Sequence, residues 1–357
     1  MRYKSEENEW LSIKESDIWK LPQDKNSILP ALRLSYSHLP SKIKRCFAFC
    51  AVVPKGFEIE RQKLIHIWIA NGFIQANQIF EPADIGIEIC NELYLRSFFQ
   101  DAKKDEFGNN FSFNMHDLVH DLAQFIAKDE FGVMEAKGSN NISKSTLHLR
   151  INVDLSQSSY KGYEALYGVE SLRTIIVAPA FCTPNVWGSF CDISRLSLLR
   201  VLSCYRLRKL PKRMRCLKNL RHLYLNDCHK LSQMPPRIGH ITCLKTLTLF
   251  IVGERRGCHL AELKSLNFGE ELRVTHLNRV GNLMDAQEAN LVRKSNLRRL
   301  ELSWELDSES ESQEMVEKVF EALQPHPNLE ILKIEGYKEV FETGWKQVIP
   351  ISYKARN

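Results

Sequence analysis

The feature that most restricts how this chain can fold is a frame that recurs through its second half, apolar-x-x-apolar-x-apolar. Leu172, Ile175 and Val177 give one copy, and Leu199, Leu202 and Cys204 the next. Leu220, Leu223 and Leu225 follow, then Leu244, Leu247 and Leu249. Leu272, Thr275 and Leu277 read as a degenerate copy. Leu297, Leu300 and Leu302 return to form, and Leu329, Leu332 and Ile334 make the last. The copies begin 27, 21, 24, 28, 25 and 32 residues apart. A period in this range means stacked units, because one unit cannot bury its own leucines while neighbours in a stack share a continuous core. The frame predicts a parallel sheet with the leucines inward. The intervening side chains should then face out on the concave side: Val201, Ser203, Tyr205, His222, Tyr224, Asn226, Thr246, Thr248, Phe250, Arg299 and Glu301, with Ser303, Ile331, Lys333 and Glu335 beyond. This mixed aromatic, polar and charged surface suits protein recognition. Cys204 and Cys228 lie near the turn position of their copies, where an asparagine or cysteine usually sits.

The first half reads differently. Residues 6–22 suggest an amphipathic helix, and 28–39 a second one begun near Pro30. Ser41 is placed to cap a helix from Lys42 to about Ala51, with Ile43, Cys46, Phe47 and Cys50 on one face. A Pro54-Lys55-Gly56 turn precedes a helix over Arg61–Asn71, with Leu64, Ile65, Trp68 and Ile69 inward and Gly72 closing it. Residues 82–98 read as a further helix. Next, Phe111-x-Phe113 alternates as a short strand and passes through Asn114-Met115-His116-Asp117 into a helix. Asn114 is placed as its cap, and Leu118, Leu122, Phe125 and Ile126 form its apolar stripe. Helices around a helix-turn-helix core, closed by a hairpin, make a winged-helix-like layout. The candidate recognition helix, RQKLIHIWIANGF, is too apolar and too poor in bases for DNA to be its expected partner. Polar, glycine-bearing residues 131–145 read as a linker. The expected fold is therefore an α-helical winged-helix-like domain followed by an α/β leucine-rich-repeat solenoid. Its divisions are 1–27, the end of a helical subdomain; 28–130, the winged-helix part; the linker 131–145; and repeats over 146–357.

Charge enters through its distribution. The net charge of +6 is modest. Segment 206–221 carries only basic charges and segment 305–317 only acidic ones, which marks solvated faces or partner-docking surfaces. As a hypothesis, the basic segment docks an acidic surface on a neighbouring module. The ten cysteines show no CxxC pair and read as small buried hydrophobes in a reducing compartment, so a cytoplasmic location is expected. No apolar run approaches the length of a membrane span, and the polar start is not a signal peptide. His116-Asp117-x-x-His120 places two imidazoles one helical turn apart. The zincin glutamate and a third ligand are missing, and His120 reads more simply as a helix-surface residue, so no metal and no enzyme activity are expected.

ILPALRLSYSHLPSKIKRCFAFCAVVPKGFEIERQKLIHIWIANGFIQ (28–75), NMHDLVHDLAQFIA (114–127) and the repeats that follow resemble the plant intracellular disease-resistance proteins of the coiled-coil, nucleotide-binding, leucine-rich-repeat type. The resemblance implies an ADP/ATP switch in which His116 contacts a phosphate of bound ADP, with Met115 and Asp117 shaping the corner. It implies repeats that sense a pathogen effector, or a host protein that it alters, and restrain the nucleotide-binding module. It also implies exchange of ADP for ATP and oligomerisation on activation. The family's P-loop, Gly-x-x-x-x-Gly-Lys-Ser/Thr, has no counterpart here, since the sequence contains no Gly-Lys dipeptide. Both ends look cut, the first inside a domain and the second without a polar capping repeat. The chain is thus read as a receptor fragment that alone neither binds nucleotide tightly nor hydrolyses it. The alternative is an adaptor or decoy that acts only by protein binding through its repeats.

Overall fold

The structure is a computed structural model. It describes residues 30–104, 111–135, 142–152, 168–178, 193–304, 313–336 and 351–354. The expected helix over 6–22, the division 1–27, Cys182, Cys191 and most of the acidic segment lie outside the described residues. The chain forms two compact units, one of residues up to Gly132 together with Ser145–Arg150, the other of Val133–Lys144 and everything from Ile151.

The first unit opens with α1 (Pro30–Ser37) and α2 (Ser41–Phe49). Pro40, rather than Ser41, is the N-cap of α2, and no side chain caps it. Strand β1 (Ile59–Glu60) leads into α3 (Arg61–Asn71), which Gly72 ends in the left-handed conformation at φ 76° that glycine adopts without a Cβ penalty. Within α3, Ile67 is buried and Ile69 only half-buried, so the inward face includes a residue that the spacing left out. Helix α4 (Pro82–Leu95) begins with proline in its first turn, and Phe98 packs inward beyond its end. Strands β2 (Gln100–Lys104) and β3 (Phe111–Asn114) form the wing, and β3 lies between β1 and β2 in an antiparallel sheet. Helix α5 (Asp117–Ala127) follows.

Aromatic side chains build the core of this unit. Trp68, Phe47 and Phe113 are fully buried. Phe47 meets Phe98 edge-on with centroids 4.8 Å apart, and Phe99 stacks on Phe113 at 5.0 Å. Helices α3 and α4 approach closely because Gly86 has no side chain: a Cβ there would sit 2.5 Å from Ile65 Cγ2.

The chain divides within β4 (Phe131–Met134) and β5 (His148–Ile151). The segment read as a linker thus contains a strand, and Ser145–Arg150 folds with the first unit rather than with the repeats. Two anchors hold it there: Ser145 Oγ donates to Asp129 O at 3.0 Å, and the backbone amides of Leu147 and His148 donate to Glu130 O.

In the second unit β6 (Thr174–Val177), β7 (Val201–Tyr205), β8 (His222–Asn226) and β9 (Thr246–Leu247) run parallel, each in register with the next. A second parallel set continues with β10 (Leu249–Ile251), β11 (Glu270–Thr275), β12 (Leu297–Ser303), β13 (Ile331–Glu335) and β14 (Ile351–Lys354). Short 3-10 turns such as Met214–Cys216 and Ile238–His240 make the return legs, joined later by α6 (Leu283–Glu288) and α7 (Gln313–Ala322). The repeat leucines are buried, with Leu223, Leu247 and Leu302 fully so.

Register corrects the degenerate copy. Leu272 pairs with Leu300 and Val274 with Leu302, so the inward strand residues are Leu272 and Val274, not Thr275 and Leu277. Counting back three residues puts Gly269 in the leading place. Glycine supplies no apolar signal there, so the visible frame slid by three residues. Cysteines correct a second expectation. Cys46, Cys50, Cys90, Cys204, Cys228 and Cys258 are buried, but Cys216 and Cys243 are exposed. Cys228 takes the turn role expected of it, its Sγ lying 3.4 Å from the Asn226 carbonyl and 3.4 Å from the Leu207 amide. Cys204 instead fills an inward strand position opposite Leu225.

Candidate functional site

The Met-His-Asp corner is built by the end of a strand. Asn114 is the last residue of β3 and does not cap the helix. His116 is the cap: its Nδ1 accepts from the Leu118 amide at 3.2 Å, and its carbonyl accepts from the amides of Val119 and His120. An imidazole that accepts at Nδ1 carries the proton of its neutral form on Nε2. The His116 ring is exposed, so this Nε2–H is a donor available to an anion. Met115 is buried beneath it, and Asp117 is exposed at the first helical position. The Asp117 carboxylate complements the helix dipole there and opposes a second anion. The corner therefore presents a single side-chain donor. It does not provide a nucleotide cradle, which needs several converging amides and a lysine.

The face that α5 buries is not the expected stripe. Val119, His120, Leu122 and Ala123 are buried, whereas Leu118 and Phe125 are exposed. With His116 as cap, the inward row runs through Met115, Val119 and Leu122. The Arg33 guanidinium sits over the Phe125 ring, 4.7 Å from its centroid, and covers part of what the helix leaves out. His120, read as a surface residue, is 2% exposed, with Nε2 2.6 Å from the Val53 carbonyl. Arg150 reaches the same oxygen at 3.0 Å and the Ala51 carbonyl at 3.3 Å. Lys55 pairs with Asp121 at 2.5 Å. Sequence reasoning missed this junction because Arg150 lies 97 residues from Val53. His116 and His120 are thereby committed to different partners, Leu118 and Val53, and do not form a pair of metal ligands.

The expected recognition face is more closed than its sequence suggests. Val201, Ser203, His222, Tyr224 and Thr246 are buried, and Phe250 is fully so. In the parallel register His222 lies between Val201 and Thr246, and Tyr224 beside Ser203, and both rings are buried along with these neighbours. His222 stacks on Tyr224 at 6.0 Å, and its Nδ1 is 2.9 Å from Thr246 Oγ1. Tyr205, Asn226, Thr248, Arg299 and Glu301 remain half-buried. Phe250 does not face out at all, since it pairs with Val274 and points inward with it.

Farther along this face, Arg273 Nε lies 2.9 Å from Glu301 and its terminal nitrogen 3.0 Å from Glu335. Burial raises the Glu301 carboxyl above the usual range, with the Glu335 charge adding to the effect and Arg273 opposing it. Among the described residues no group of three or more His, Cys, Asp or Glu side chains could hold a metal ion, and no helix is long and apolar enough to cross a membrane.

A winged-helix unit followed by parallel-strand leucine-rich repeats defines a two-part class of protein. Residues 52–123 match the disease resistance protein winged helix domain family, and residues 260–347 match the R13L1/DRL21 LRRs. The protein RGA4 of Solanum bulbocastanum is 41% identical over 94% of this chain and 36% of its own length. Disease resistance protein RGA2 of the same species is 39% identical over 96% of this chain and 37% of its own length. RPP13-like protein 1 of Arabidopsis thaliana is 31% identical over 95% of this chain and 37% of its own length. The chain belongs to the plant disease-resistance proteins with leucine-rich repeats. It spans little more than a third of the length of these relatives.

Proposed function

We propose that this chain is the winged-helix and repeat part of a cytoplasmic immune receptor, in which the repeats recognise a pathogen effector or an altered host protein. In this reading His116 reports on a nucleotide phosphate, ADP at rest, held by residues that this sequence does not contain. The repeats restrain that switch, and oligomerisation follows its release. The observation that carries the reading is the order of parts, a winged-helix unit ending in an exposed His116 cap and followed by leucine-rich repeats. The chain is assigned no catalytic step.

Two measurements test it. Calorimetric titration of ADP into the chain should give no micromolar binding, since His116 supplies a single contact; micromolar binding would overturn that part. In a full-length receptor carrying this segment, His116→Ala should raise signalling without a partner. Unchanged basal signalling would remove the switch reading and leave the adaptor that acts by protein binding alone.

A further inference from the structure

The two strand sets of the repeat unit are separated by a single residue. Leu247 pairs with Leu223, but beyond Thr248 the alternation inverts: Leu249 pairs with Arg273 and Phe250 with Val274. Thr248 bridges the break. Its hydroxyl accepts from the Leu225 amide at 2.8 Å and its carbonyl accepts from the Arg273 amide at 3.0 Å. A one-residue slip exchanges the faces of a strand, which is why Phe250 turns inward. At the strand ends beside this break lies a cavity of about 320 Å³. Leu231, Leu249, Ile251 and the nearly buried Trp304 supply apolar lining, and Asp227, Arg273 and Glu335 supply charge.

The charges are unequal. Among the described residues the one lining guanidinium, Arg273, is shared by two carboxylates, Glu301 and Glu335. Asp227 is more than half exposed, and its neighbours Arg206 and His229 stand off at 4.0 and 3.9 Å. Backbone geometry fixes this edge. Asp227 and His276, at the ends of β8 and β11, are both left-handed, at φ 50° and 61°. A recess with an apolar wall and surplus carboxylate is the complement of a long basic side chain, whose methylene stem packs on the wall while its head meets the acids.

We propose that this cavity receives a lysine or arginine side chain from an extended loop of the partner protein. The inference rests on the repeats being a recognition surface. Its test uses the chain alone with short peptides, so its failure is separable from failure of the signalling experiment above.

The probes are capped heptapeptides of glycine and serine with a central arginine, leucine or glutamate. Saturation-transfer NMR on the whole chain should detect the arginine peptide and neither of the others. Asp227→Asn, at an exposed position that leaves packing intact, should weaken that signal by about fivefold, as loss of one partly screened carboxylate would. Glu335→Gln should weaken it more, with a melting curve run alongside because Glu335 also holds Arg273. Lys218→Ala, which lies outside the cavity lining, should leave it unchanged. Equal signals from all three peptides, preference for the glutamate or leucine peptide, no signal from the arginine peptide, or indifference to Asp227→Asn would each overturn the proposal.

Discussion

His120 Nε2 lies 2.6 Å from the carbonyl oxygen of Val53, and this contact fixes the helix that carries the Met-His-Asp corner. A carbonyl only accepts, so Nε2 carries the proton. The buried Nδ1 has no hydrogen-bond partner and stays bare. Protonating it would place an unpaired N–H in the core. Burial accordingly holds the His120 pKa below the ordinary histidine value. The unfolded chain therefore binds more protons than the folded one as pH falls below about 6.5, the ordinary value, so stability is full above that pH and declines beneath it. Chemical denaturation at about pH 7.5 and 5.5 should show this loss, and His120→Gln should flatten it.

Arg150 shares the Val53 oxygen with His120, although that carbonyl lies 97 residues before the one and 67 before the other. Arg150→Met should cost about 2–3 kcal/mol, the range for charge-assisted hydrogen bonds lost from a buried site. Because His120 and Arg150 meet at one acceptor, the double variant should depart from additivity by about 0.5 kcal/mol or more in a denaturation cycle. Strict additivity would show that the two donors hold the turn independently.

Gly86 faces Ile65 where α3 crosses α4. Gly86→Ala would place its methyl 2.5 Å from Ile65 Cγ2, so this otherwise helix-favouring change should destabilise by about 1–3 kcal/mol. Pairing it with Ile65→Ala, which removes both γ carbons that the methyl meets, should cost less than the sum of the two single changes. A lone Gly86→Ala variant that melts higher than the parent would refute the close approach.

Lys294 stitches one repeat to the next. It is 4% exposed, and its ammonium donates to the carbonyls of Leu263 at 2.8 Å, Lys264 at 3.4 Å and Leu266. Burial pushes its pKa down to about 8. The unfolded chain keeps that proton to higher pH, so this group's contribution to stability rises between about pH 8 and 10.5. Lys294→Met should remove that rise and, by stranding buried carbonyls, cost about 1–3 kcal/mol near neutral pH. Thermal melts across this range read both effects.

The local patterns were legible wherever one turn or one strand decides the outcome. Arg61–Asn71 with its Gly72 cap, Pro30 at a helix start and the leucine frame, except at Leu249 and in the copy around Leu272, all follow from spacing and backbone preference. The copy around Leu272 was misplaced because Gly269 is silent in an apolar pattern, and pairing with Leu300 and Leu302 was needed to place it.

Sequence by itself determined the class of this protein, since the period of the leucines fixes a stacked-repeat fold and residues 28–75 and 114–127 carry the family resemblance. Tertiary structure alone decided which side chains those elements leave available. It buried His120 against Val53, placed His116 as the cap instead of Asn114, closed much of the concave face, His222 and Tyr224 included, and turned Phe250 inward at the Thr248 break. The reason is physical. Periodicity says which residues share a face, but burial depends on what the neighbouring strand or a segment nearly a hundred residues away brings against that face.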